Sequence, residues 1–156
     1  MGDGTKENPL TCEDVLRLIA ENGGKTEGLD LSGKVFEREI DLREFYLLGI
    51  ILKKAMLYEA HLERALLAGA KLQEAGLTGA HLEGAILVGA NLKGTYLKVT
   101  SLQGADLTGA NLSRAWLEGA KLSSTTALER VDWGRDYKCG EEASGNFIQE
   151  ERTYSP

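Results

Sequence analysis

Two histidines, His61 and His81, lie twenty residues apart, and each is followed two positions later by a glutamate, Glu63 and Glu83. Imidazole and carboxylate are common ligands of a borderline metal such as zinc, so the doublet is the part of the sequence with the most obvious chemical potential. The plainer reading is a solvated polar ladder, because an exposed column lacks the outer partners that hold ligands in place. The sequence by itself therefore assigns no metal and no cofactor. Ser101 continues the same twenty-residue spacing, yet a nucleophilic site also needs a pocket and oxyanion donors, and none is evident. No phosphate-binding, dinucleotide-binding, zinc-protease or CxxC motif occurs, and no enzymatic activity is expected. Cys12 and Cys139, the only cysteines, are too few and too far apart for a disulfide framework or a four-ligand zinc site.

What must position these residues is visible in the leucines. From Leu42 to Leu122 a leucine stands at every fifth position, seventeen in succession. Five residues turn an α-helix through about 500°, which scatters the leucines around the cylinder, and on a flat strand an odd spacing alternates their faces. Only a chain that turns a corner once per repeat hides all of them. Four corners of about 90° close a rung of twenty residues. From Leu57 onward the residue two positions before each of these leucines is small, Ala55 through Ala90, then Thr95, Thr100 and Ala105 through Ala120, and it shares the inward side of the extended backbone. Glycine commonly ends the repeat, as at Gly69, Gly89 and Gly109, where a corner requires a permissive backbone.

In Ala90-Asn91-Leu92, Ala105-Asp106-Leu107 and Ala110-Asn111-Leu112 the sequence resembles the pentapeptide-repeat family, whose pattern is A(D/N)LXX. The resemblance covers about residues 40–124 and implies an all-β solenoid, a right-handed quadrilateral β-helix of a little over four rungs. Leu29-Asp30-Leu31 and Phe36 suggest a further rung. The spacing from Phe36 to Leu42 is six, so a bulge is expected near Glu39. The organisation expected is an N-terminal segment, 1–28, with a capping helix over 12–22; the β-helix over 29–124, regular from about 40; and a C-terminal cap and tail over 125–156. Thr11 is the expected N-cap, Val15, Leu16, Leu18 and Ile19 the buried side and Gly23-Gly24 the stop. A second helix is expected from Phe147, with Asn146 as its N-cap.

Residues one rung apart should stack at about 4.8 Å, which sorts the exterior into columns. One side presents Tyr46, Leu48, Leu66, Ala68, Ile86 and Val88, three rungs without a charge, the kind of apolar patch that marks a protein partner or a homodimer contact unless a flanking segment covers it. A second possible face carries Met56, Tyr58, Tyr96 and Trp116 among Lys98 and Glu118. A third stacks Asp41, His61, His81, Ser101 and Lys121.

The function expected is a non-catalytic scaffold or regulatory module that binds protein. The alternative, implied by the family, is a DNA mimic that binds DNA gyrase or another topoisomerase through an acidic surface. Charge speaks against it: although the whole chain carries a net −6, residues 40–124 hold eight acids and nine bases. A duplex presents about one negative charge per 1.7 Å of axis. Nor does any face concentrate lysine and arginine for direct nucleic-acid binding. Without an apolar run of about 18 residues or a signal-peptide pattern, no membrane association is expected and the cytoplasm is the expected location.

Overall fold

A computed structural model describes residues 1–134. The chain winds as a four-sided coil in which residues twenty apart form parallel bridges: Asp41 with His61, Tyr46 with Leu66, Ile51 with Lys71 and Met56 with Gly76, and onward rung by rung. Each side contributes two kinds of hydrogen bond to the next rung. Leu62 N donates to His81 O at 2.8 Å and Arg64 N to Glu83 O at 2.9 Å, while His81 N donates back to Ala60 O at 2.9 Å.

The five-residue beat follows from a turn after every leucine. From Leu42 to Leu117 the amide three residues beyond each inward leucine donates back to its carbonyl, as Ala90 N does to Leu87 O at 2.9 Å. The residue before that amide takes a positive φ, near +60° to +70°, whether or not it is glycine. A turn with φ > 0 at its third residue favours glycine, because a Cβ is crowded there. Nine described corners nevertheless use another residue: Glu39, Glu44, Lys54, Glu59, Arg64, Glu74, Val99, Arg114 and Arg130.

Inside, the leucines from Leu42 to Leu112 and the alanines beside them are buried. Free space along the leucine column from Leu42 to Leu77 amounts to about 10 Å³, too little for a substrate. Thr95 and Thr100 replace alanine without leaving an unpaired hydroxyl, since their Oγ1 atoms donate to Leu72 O at 2.7 Å and Leu77 O at 2.9 Å. The Asp/Asn of the repeat has a local role: Asp106 Oδ1 accepts from Thr108 N at 3.0 Å and Asn111 Oδ1 from Ser113 N at 2.9 Å, bracing the entry to the turn.

Two single-residue slips frame the regular part. Asp30 pairs with Ile51 and Val35 with Met56, twenty-one residues away, so the extra residue lies between Val35 and Asp41. Beside it, Leu10 pairs with Phe36, accepting from Glu37 N at 3.0 Å and donating to Val35 O at 2.8 Å. The slip thus accommodates the incoming N-terminal segment as well as the turn at Glu39.

The second slip corrects the expected end of the coil at residue 124. Ala127 pairs with Asp106 and Asp132 with Asn111, again twenty-one apart, so the winding continues past the last regular leucine. Ser123 and Thr126 absorb the additional residue. Ser123 Oγ accepts from Gly104 N at 3.1 Å, and Thr126 Oγ1 accepts from Ser123 N at 3.0 Å and donates to Leu102 O at 3.0 Å. Leu128 and Trp133 then resume the inward position one residue late, packed against the core.

Helix α1 spans Cys12–Glu21. Thr11 and Asp14 form a capping box, and Gly23 and Gly24 follow with positive φ. Val15 is buried with the core, and Cys12, Leu18 and Ile19 pack against it. Leu16, expected on the buried side, is instead 53% exposed. It follows directly on Val15, about 100° round the helix, and that turn carries it off the stripe facing the core. The helix expected from Phe147 lies outside the described residues.

Candidate functional site

The polar column is assembled as the spacing predicts, Asp41 under His61, His61 under His81, then Ser101 and Lys121. Leu62 and Leu82, both buried, anchor the backbone on which the histidines stand. The two imidazoles stack with centroids 5.0 Å apart and planes 9° from parallel. His61 Nδ1 lies 3.3 Å from Glu63 Oε1, and His81 Nδ1 lies 3.6 Å from Glu83 Oε1. Glu63 and Glu83 are themselves one rung apart, which brings Glu63, His81 and Glu83 into one group. Asp41 is committed elsewhere: Arg43 binds it through side chain and backbone, and these bonds hold its carboxyl down to about 2. Ser101 is buried, with no base placed against it by any described contact.

The apolar column stacks Tyr46, Leu66 and Ile86, with Asp106 above. Tyr46 is 73% exposed, Leu48 44% and Val88 38%, while Leu66, Ala68 and Ile86 are half-buried between them. The 1–28 segment borders this side without covering it. Thr26 Oγ1 donates to Leu48 O at 3.0 Å, and an open groove of about 550 Å³ runs between α1 and the first rung, lined by Leu16, Ile19, Phe45, Tyr46 and Leu48 among others. The sequence reading missed the contribution of Leu16 and Phe45. Its signal was the replacement of the usual inward alanine by Ile40, Phe45 and Ile50 in the rung beside α1.

The aromatic column is occupied with itself. Tyr96 and Trp116 stack at 6.2 Å and 13°, Lys98 Nζ sits 5.4 Å from the Trp116 ring centroid, and Lys98 also bonds Glu118 at 2.7 Å. Tyr58 lies over Gly76, where a Cβ would come within 2.9 Å of its ring. Met56 is half-buried in the same column.

On the regular coil most acids are matched by neighbouring bases: Glu44 by Arg64 at 2.7 Å, Glu74 by Lys54 at 3.6 Å, and Glu59 by Arg38, whose guanidinium bonds hold that carboxyl below its ordinary value. Among the described residues no helix is long and apolar enough to cross a membrane.

A square coil with a packed interior and differentiated outer faces defines a repeat protein of the solenoid class. Residues 52–84 and 85–123 match the sequence model of pentapeptide repeats in eight copies, and this stretch of the chain is built of pentapeptide repeats. Among solved structures it is similar to Rfr23, a pentapeptide repeat protein from the cyanobacterium Cyanothece 51142, with 36% identity over 66% of this chain and 66% of that one and a TM-score of 0.41. This chain thus spans just under two thirds of the length of Rfr23. A trypsin-treated form of QnrB1, a plasmid-mediated fluoroquinolone resistance protein, shares 16% identity over 70% of this chain and 72% of that one, with a TM-score of 0.38. A pentapeptide repeat protein of the Arabidopsis thaliana thylakoid lumen shares 26% identity over 72% of this chain and 66% of that one, with a TM-score of 0.32. No curated protein matches the chain significantly.

Proposed function

We propose that this chain is a non-catalytic scaffold or regulatory module that docks a protein, a second copy of itself included, on the side formed by Tyr46, Leu48, Leu66, Ala68, Ile86 and Val88. The observation that carries the reading is an uncharged, apolar side over three successive rungs, exposed at Tyr46, Leu48 and Val88 and half-exposed at Leu66, Ala68 and Ile86 between them. The continuous backbone ladder beneath them supports it, since a preformed surface loses little conformational freedom on binding. The packed interior offers no room for a reaction. The cytoplasmic location belongs to the same reading and rests on sequence alone. The aromatic side is the weaker docking surface, because Tyr58, Tyr96 and Trp116 already contact Gly76, one another and Lys98. The duplex-mimic alternative is less supported, because cross-rung ion pairs neutralise the acids it would need.

The test is the double variant Leu66→Glu, Ile86→Lys, studied by light scattering coupled to size exclusion and by partner capture. Self-association or capture present in the native chain should disappear while the circular dichroism spectrum is retained. Association that survives in the folded double variant removes this side as the interface.

A further inference from the structure

We propose that the polar side of the coil carries a divalent metal site of zinc-like preference, with His81, Glu63 and Glu83 as ligands and His61 as the residue that positions Glu63. One ligand atom from each of the three lies within 4.8 Å of the others. A tetrahedral zinc ion with bonds of about 2.0–2.2 Å needs ligand atoms about 3.3–3.6 Å apart, so small side-chain rotations suffice to close the group. His81 Nδ1 and Glu83 Oε1 are already 3.6 Å apart.

A second observation is independent of this proximity. Glu63 Oε2 and Glu83 Oε2 are both shielded from water and have no hydrogen-bond partner among the described residues, although the two side chains as wholes stay 27% and 38% exposed. Two carboxylates stacked on successive rungs repel one another, and oxygens withdrawn from water without a donor are costly unless a cation meets them. Arg43, one rung below Glu63, acts on it through charge alone, its guanidinium being bonded to Asp41 at 2.9 Å, and Arg64 is bonded to Glu44 at 2.7 Å. A divalent ion would neutralise the two carboxylates, and the imidazole supplies the nitrogen donor that favours zinc over magnesium or calcium.

His61 has a different part. It stacks on His81 and contacts Glu63 Oε1 at 3.3 Å, so it orients both a ring and a carboxylate without being a member of the three-atom group. The backbone bonds between the two rungs, 2.8 to 2.9 Å, hold the donors in register before any ion arrives. Three protein ligands leave one coordination position for water.

The experiment is calorimetric titration of the tag-free full chain, thiols reduced, with zinc chloride, followed by cobalt absorption spectroscopy. One saturable site is expected. His81→Ala and Glu83→Gln should each weaken it by about tenfold or more, and His61→Ala by less, with circular dichroism unchanged in all three. Absence of saturable zinc uptake, or equal affinity in folded His81→Ala, overturns the site. A thiolate-to-cobalt charge-transfer band overturns it by moving the metal to cysteine. Magnesium binding as strong as zinc binding and indifferent to His81→Ala also overturns it, because it would mark simple screening of the carboxylate pair.

Discussion

Gly89 offers a clean measure of what the corners require. Its φ is +64°, and a Cβ built on it would meet nothing within 4 Å, so Gly89→Ala changes the backbone cost without a steric clash. Holding an L-residue in the left-handed region costs about 1–2 kcal/mol. The smaller freedom of alanine in the unfolded chain returns about 0.5–1 kcal/mol of that. The net expectation is a loss of about 0.5–1 kcal/mol, despite the addition of a methyl group to open space. With a urea slope of about 2 kcal/mol per molar, the midpoint followed by far-ultraviolet circular dichroism should fall by about 0.3–0.5 M. Gly89→Asn should lose less than Gly89→Ala, since asparagine enters the left-handed region more readily. A Gly89→Ala variant as stable as the native chain, or an asparagine variant no better than alanine, would show that the positive dihedral is not what selects glycine at this corner. The nine non-glycine corners make this a demanding test, because the coil tolerates the same dihedral at Val99 and Arg114.

Three other outcomes follow from named contacts. Thr95→Val keeps the shape but removes the 2.7 Å bond to Leu72 O, and should cost about 1 kcal/mol in the same urea assay; the loss is held to that size because Ala75 N also donates to this carbonyl. Gly76→Ala should displace the Tyr58 ring, whose Cε1 would lie 2.9 Å from the new methyl, and unchanged Tyr58 ring-proton shifts in a folded variant would contradict the packing described. The Asp14 carboxyl, held by the amides of Thr11 and Gly2, is lowered from 3.8 to about 2. A carboxyl lowered by folding stabilises above its unfolded value and loses that contribution as pH falls towards its folded value. The advantage of the native chain over Asp14→Asn should therefore shrink between about pH 4 and pH 2, and a constant difference across that window would be inconsistent with the capping arrangement.

The leucine beat from Leu42 to Leu122 was sufficient to determine the four-sided winding, because burying every fifth residue excludes both helix and flat sheet. The twenty-residue neighbours followed from it, and with them the stacking of His61 on His81 and of Leu66 on Ile86. Helix α1 was legible from Thr11, the apolar stripe and Gly23-Gly24. What lay beyond the sequence were contacts without a period. Leu16 turned outward because the direction of the core relative to α1 is set by tertiary packing, not by helix spacing alone. The coil passed residue 124 because side-chain hydroxyls of Ser123 and Thr126 replaced backbone bonds and carried one extra residue, which no count of five reveals. The distances within Glu63, His81 and Glu83, and the withdrawal of two carboxylate oxygens from water, likewise depended on rotamers chosen by neighbours in adjacent rungs. Periodicity specifies which residues share a side, since it is a property of the backbone path; which of them touch, and which stay wet, is decided only when the rungs are stacked.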